Sequence, residues 1–385
     1  MTTSRKTLLP VLAGGLMLAS VAGVSAQDAS PAASMATGEL TPVSLQLQWA
    51  PQAQFAGYFA AAAKGYWAAR GLDVTIVDGG PDVVPQVIGS DPAGPTFTIS
   101  WVPKVLEVRE SADLKSDLVN IAQIFQRSGT KSVSWAPGKG PDPVSDASIL
   151  TPADFAGKKV GAWGFGNEYE VTAAATAAGL VEGTDYEKVN QDFNMLLLLN
   201  REIDVAEAMI YNEYAQVLEA TDPKTGALYQ PEDLNVIDYN EVGTSMLQDA
   251  IFARAAWLAE PGSEDVATQF LAGAFEGWIY CRDNPDDCIR YTVDAGSTLG
   301  AGHQAWMMNE INPLIWPSPA GIGALDPAAW AQTVGIATQA GIIKAAPDAA
   351  ASRTDLADAA RALVMGDTMG TDFVKGTVTV TPAGE

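Results

Sequence analysis

One stretch limits the fold more than any other: Leu45–Val77, LQLQWAPQAQFAGYFAAAAKGYWAARGLDVTIV. It reads as strand, turn, helix, turn, strand. Leu45, Leu47 and Trp49 alternate with Gln46 and Gln48, the period of a strand with one face toward a core. Pro51 ends that strand. From Gln54 on, Phe55, Tyr58, Phe59, Ala62 and Tyr66 recur at three- and four-residue spacing, which is one apolar helix face. Gly65 and Gly71 close the helical region, and Asp73–Val77 is a second strand. Such a unit sets two parallel strands in one sheet through a right-handed crossover. Open α/β sheets hold ligands just beyond the carboxyl ends of their strands, which here is the Trp49–Gln54 loop.

The rest of the chain extends the pattern. A short helix is predicted at Asp82–Gly89, a strand at Thr96–Trp101 with a helix over Pro103–Arg109, and a strand at Leu118–Phe125. Gly138–Pro152 is rich in Pro, Gly, Asp and Ser and marks a crossing between domains. Val160–Trp163 is again a strand, followed by the turn Gly164–Gly166. Asn167 and Glu170 are spaced as a capping box for the next helix. Strands at Tyr186–Asn190 and Val205–Ile210 flank a helix at Asn194–Arg201, and Tyr211–Ala220 is helical. Leu234–Tyr239 and Asp249–Ala253 lead back to the first domain. Phe270, Leu271, Ala274, Phe275, Trp278 and Ile279 then form a broad apolar helix face. Further helices are expected near His303–Asn312, Pro327–Ala340 and Thr354–Val364, with no strong pattern after Gly370.

Composition excludes some functions. The 385 residues carry 46 acidic against 22 basic side chains, a net charge of −24, which argues against nucleic acid as a partner. Arg5 and Lys6, the apolar run Leu8–Ala22 and the small residues Val24–Ala26 have the parts of a secretory leader, Met1–Ala26. The apolar run is long enough to serve instead as an uncleaved anchor. Residues 27–42, rich in Ala, Ser, Thr and Pro, read as a disordered tether. In an exported chain the two cysteines, Cys281 and Cys288, are expected to form a disulfide. His303 is the one histidine, so no metal site and no cofactor are expected.

Four predicted strands end in an aromatic and then turn: Trp49, Trp101, Trp163 and Tyr211. Any one of them fits core packing. All four at the same kind of position, in two facing domains, would line one cleft with flat surfaces suited to a flat aromatic ligand. Gln54, Asn167, Glu168, Glu213 and Asp249 are the hydrogen-bonding candidates among the nearby amides and carboxylates, and Tyr58 fits cleft or core alike. Arg and Lys are scarce in these segments, which favours an uncharged or weakly basic heterocycle over a sulfonate, nitrate or phosphate. One histidine allows no Ser-His-Asp triad, and no phosphate-loop lysine motif occurs.

The runs LQWAPQAQFAGYFAAAAKGYWAARGLDVTI, FTISWVPKVL, DFAGKKVGAWGFGNEYE and AMIYNEYAQVLE resemble periplasmic binding proteins of the alkanesulfonate/thiamine-pyrimidine type. The resemblance covers roughly Val43–Trp316. It implies a two-lobed α/β fold of periplasmic-binding-protein type II, each lobe a mostly parallel sheet flanked by helices, with the ligand cleft between lobes and two crossovers. On that reading 43–138 and 245–385 form the first lobe and 139–244 the second. The implied function is that of an extracytoplasmic, monomeric, non-catalytic component of an ABC importer, whose partners are the permease subunits. The pyrimidine- and riboflavin-binding branches look nearest, so the implied ligand is a small heteroaromatic vitamin or precursor. The same family holds a fungal thiamine pyrimidine synthase, which is the alternative. In an ungapped reading that enzyme's cofactor lysine falls at Ser100, its substrate histidine at Lys104, and its cysteine-rich iron motif on Val242–Gln248, which contains no cysteine.

Overall fold

The computed structural model describes residues 39–141 and 148–385. The expected leader, the tether residues 27–38 and part of the expected Gly138–Pro152 crossing lie outside them. The tether is shorter than expected at its far end, because Thr41 and Pro42 already pair with Leu72 and Asp73.

In chain order the strands are β1 (Thr41–Gln46), β2 (Leu72–Val77), β3 (Phe97–Ser100), β4 (Leu118–Gln123), β5 (Thr130–Trp135), β6 (Lys159–Ala162), β7 (Glu187–Asn190), β8 (Ala206–Met209), β9 (Leu234–Asp238) and β10 (Ala250–Arg254). The helices are α1 (Ala56–Ala63), α2 (Pro85–Ser90), α3 (Val102–Glu110), α4 (Tyr169–Ala177), α5 (Leu196–Leu199), α6 (Glu213–Leu218), α7 (Tyr239–Val242), α8 (Ala255–Leu258), α9 (Ser263–Asp283), α10 (Pro285–Asp294), α11 (Ala301–Ile315), α12 (Pro327–Gln339) and α13 (Asp355–Arg361). The opening strand–helix–strand unit forms as its pattern demands, and β1 and β2 pair in parallel. The first strand ends earlier than predicted, at Gln46, so Leu47–Pro51 become a longer loop at its carboxyl end.

The first sheet has the order β2-β1-β3-β10-β4, with β10 antiparallel to both neighbours. In the second, β5 lies antiparallel between β8 and β9, and β6 pairs in parallel with β7. A parallel bridge between Val160 and Val205, with Gly161 N–H donating to the Val205 carbonyl at 2.7 Å, joins the two pieces into β7-β6-β8-β5-β9. The two orders match. In each, four strands run one way, and the strand against them is the first to arrive after a crossover. The lobes are thus mostly parallel sheets of the same design, a type II periplasmic-binding-protein fold.

Two expectations change here. β5 was not expected; it falls within 43–138, yet it pairs with β8 and β9, so the first crossover runs through residues 124–129. β9 also stays in the second sheet, and only β10 returns to the first. The crossovers are tied to each other. Asn240 Nδ2 donates to the Ser128 carbonyl at 2.8 Å, and Gly129 N–H donates to Gln248 Oε1 at 2.8 Å. Glu170 in α4 joins both: Ser128 Oγ donates to one carboxyl oxygen at 2.7 Å and Met246 N–H to the other at 2.8 Å. The capping box expected of Asn167 and Glu170 does not form, because this buried link takes the Glu170 side chain instead.

The first lobe's core lies between its sheet and α1, α9 and α13, where Phe97 stacks on Phe270 at 3.9 Å between ring centroids. α1 and α9 approach closely at two glycines: a Cβ on Gly57 would meet the Trp278 ring at 2.2 Å, and one on Gly277 the Gly57 carbonyl at 1.9 Å. Cys281 and Cys288 form the expected disulfide, joining the end of α9 to α10.

Candidate functional site

The loops after β1, β3, β6 and β8 meet in a cleft between the lobes, whose cavity in this closely packed arrangement is about 70 Å³, smaller than an open small-molecule site. The first lobe supplies Trp49, after β1, and Trp101, the residue before α3. The second supplies Trp163, directly after β6, and Tyr211, after β8. All four line the cleft. Three are well buried, Trp101 at 5%, Trp163 at 4% and Tyr211 at 1% exposure, and Trp49 is half-buried, because the lobes lie close together and the rings also pack on protein.

The rings do not all present open faces. Phe193, on the loop after β7, sits 4.3 Å from the Trp49 ring and 5.8 Å from the Trp163 ring, the latter nearly parallel. The Trp101 face is covered by the Lys104 ammonium at 4.3 Å. Sequence reading missed both Phe193 and Phe165. Phe165 lines the cleft at 72% exposure with a left-handed backbone, φ 61°, between Gly164 and Gly166. A lone Phe in a turn carries no periodic signal, so nothing in the pattern singled it out.

Polar groups enter from both sides. Gln54 lines the cleft; its amide accepts from Gln52 Nε2 at 2.6 Å and donates to Asp249 at 2.9 Å. Asp249 lies behind the lining and also accepts from Trp101 Nε1 at 2.8 Å, so it fixes two lining side chains. Burial pushes its carboxyl up to about 6. Asn167 and Glu213 line the cleft. Glu213 accepts from Met209 N–H at 3.0 Å and from Asn212 Nδ2 at 2.9 Å, and burial pushes it up to about 7. Asn212 Oδ1 accepts from His303 Nε2 at 3.0 Å, and Glu219 holds the other ring nitrogen at 2.8 Å.

Besides Asp249, two candidates are not brought to the cleft wall. Glu168 turns back to accept Gly166 N–H at 2.9 Å, so it shapes the Phe165 turn. Tyr58 is buried against Trp278, edge to face at 5.6 Å, with its hydroxyl unpartnered. It is a core residue here because α1 presents that face to α9.

The scarcity of basic groups also needs correction. Lys104, in the first turn of α3, lines the cleft with its ammonium 2.5 Å from Asn167 Oδ1, a contact from lobe to lobe. Burial lowers it to about 8 despite the pull of Asp249, Glu168 and Glu207. Tyr169 Oη makes a second such contact, donating to Glu107 at 2.6 Å. Ser100 is buried in β3, its hydroxyl 3.4 Å from Gln86 Oε1. Among the described residues no group of three His, Cys, Asp or Glu side chains is placed to hold a metal ion, and no helix is long and apolar enough to cross a membrane.

Comparison with known proteins places this geometry in context. The family model described as NMT1/THI5 like matches residues 52–288, more than half of the chain. A formylaminopyrimidine-binding protein of Halalkalibacterium halodurans is 26% identical over 256 residues, 65% of this chain and 69% of that protein. The riboflavin-binding protein RibY of Chloroflexus aurantiacus is 23% identical over 334 residues, 84% of this chain and 88% of that protein. Among solved structures, the periplasmic aliphatic sulphonate binding protein SsuA of Escherichia coli superposes with a TM-score of 0.57 at 14% identity, covering 89% of this chain and 94% of that one.

Proposed function

This chain belongs to the NMT1/THI5-like family, and on that premise we propose that it is the exported solute-binding component of an ABC importer for a flat heteroaromatic vitamin or vitamin precursor. Riboflavin and the formylated aminopyrimidine precursors of thiamine are the leading candidates. The observation that carries the reading is the convergence of Trp49, Trp101, Trp163 and Tyr211 from both lobes on one cleft, among amides rather than guanidinium groups. The names of the two relatives, one binding a formylaminopyrimidine and one riboflavin, support the same ligand class.

In this reading Trp49, Trp163 and Tyr211 stack on the ligand ring, with Phe165 and Phe193 completing the walls. Trp101 holds Lys104 and Asp249 in place. Gln54, Asn167 and Glu213 hydrogen-bond the ring edge. The protein binds and releases its ligand without transforming it. Closure of the lobes presents a surface to the permease subunits, and the monomer is the working unit.

Mass spectrometry of small molecules released from purified protein tests the proposal. A flavin or an aminopyrimidine is the expected result. Release of an alkanesulfonate or nitrate instead would overturn the ligand class, and an imine absorbance formed with pyridoxal phosphate at Lys104 would replace binding with enzyme chemistry.

A further inference from the structure

Lys104 stands where a lysine is unfavourable on three counts. It occupies the first turn of α3, where the helix dipole disfavours a cation. Its side chain is 4% exposed, so the ammonium has lost most of its water. It makes no ion pair among the described residues; its contacts are the Asn167 amide oxygen at 2.5 Å and the Trp101 face at 4.3 Å. An ammonium carries three donors, and one is used. The nearby carboxylates Asp249, Glu168 and Glu207 favour the charged form, and burial opposes them.

A second buried group in the same cleft is also unmatched. Gln48, at 7% exposure, lines the cleft with its Oε1 lacking any hydrogen-bond partner. An acceptor without a donor and a cation with unused donors face one cavity, and each lacks what the other offers. A ligand supplies both when its edge carries an oxygen acceptor beside an N–H donor.

We infer that Lys104 and Gln48 read such an edge: Lys104 donates to a carbonyl or anionic oxygen of the ligand, and Gln48 accepts from a neighbouring N–H. This rests on the heteroaromatic reading for the ring and adds the substituent that the ring must bear. Cyclic imides and N-formylamines have this edge. A simple amine on the same ring lacks the oxygen.

Calorimetric titration of wild type, Lys104→Met and Lys104→Gln with riboflavin, a formylated aminopyrimidine, its deformylated amine and taurine tests the inference, with thermal unfolding of each ligand-free protein alongside. Wild type should prefer an oxygen-bearing ring over the bare amine. Lys104→Met should weaken that binding by about ten- to a hundredfold, the range for a hydrogen bond from a charged donor. Lys104→Gln, which keeps a neutral donor, should lose less. Both ligand-free variants should melt at or above the wild-type temperature, since a buried cation has been removed.

Unchanged affinity, or an affinity loss matched by a lower melting temperature in both variants, would overturn the inference. Wild type that takes taurine in place of the rings, and loses it on Lys104→Met, would remove the heteroaromatic reading and leave Lys104 as an oxygen reader. Wild type that binds none of the four probes would remove both.

Discussion

At the scale of single residues the cleft combines strain with burial. Phe165 holds φ 61°, a region that L-residues other than Asn and Asp seldom adopt, and its ring stays 72% exposed at the mouth of the cleft. A residue with that backbone and little packing contributes little to folding. Phe165→Gly should therefore leave the ligand-free protein within about 1 kcal/mol of wild-type stability, because glycine accepts the left-handed backbone. Ligand affinity should fall at least about fivefold as the ring cover is lost. Denaturant unfolding and a binding titration on the same variant check both, and a large stability loss with intact affinity would contradict the assignment. The buried carboxyls make a second prediction. Burial lifts Asp249 to about 6, Glu213 to about 7 and Glu170 to about 8, and Glu207 upward as well. A carboxyl with a raised folded pKa holds its proton more tightly when folded. Its contribution is present below the unfolded value and is lost as pH rises through the folded one. The ligand-free protein should lose stability between about pH 4 and about pH 8, and growing negative charge adds to the trend. Lys104, lowered to about 8, acts oppositely only above that pH. Urea midpoints at pH 5 and pH 8 measure the slope, and Glu170→Gln should flatten it. A higher midpoint at pH 8 would contradict it.

At the scale of elements, the Cys281–Cys288 bridge ties α9 to α10 across a sequence separation of 7. So short a loop removes little chain entropy, so replacing both cysteines by alanine should cost about 2–3 kcal/mol in unfolding free energy and leave the fold intact. Calorimetry of the double variant checks this; a loss of cooperative folding would show that the bridge does more than staple two helices. The same scale shows why some elements were legible and others were not. The β1–α1–β2 unit announces itself because its strands and helix each bury one apolar face. β5, TKSVSW, is buried along its whole length yet mostly polar. Lys131 pairs with Asp238 at 2.5 Å and Ser132 Oγ lies 2.5 Å from Tyr239 Oη, so partners on β9 and α7 replace hydrophobicity. No pattern within the strand reveals partners about 100 residues away. Glu170 misled for a related reason: its spacing from Asn167 fits a cap, while its actual partners, Ser128 and Met246, come from the two crossovers.

For the whole molecule, two sheets of the same strand order face each other across a cleft, and strand ends from both deliver aromatic side chains to it. That much was visible in the sequence as four aromatics at four strand ends, because parallel sheets aim their carboxyl ends alike. The sequence could not show that Phe193 packs between Trp49 and Trp163, or that Lys104 reaches across to Asn167, since both depend on how closely the lobes approach. Opening the lobes would part Phe193 from Trp49 and Lys104 from Asn167, and so expose Trp49 and the Phe193–Trp163 pair of the second lobe to a ligand ring. The most direct test of the account is therefore a tryptophan fluorescence titration of the wild-type protein with riboflavin and a formylated aminopyrimidine, with taurine and nitrate as competitors. The account predicts saturable quenching by at least one heterocycle, weakened about five- to a hundredfold by Trp163→Ala and unaffected by either anion. Quenching by neither heterocycle, or displacement of a bound heterocycle by taurine or nitrate, would contradict it.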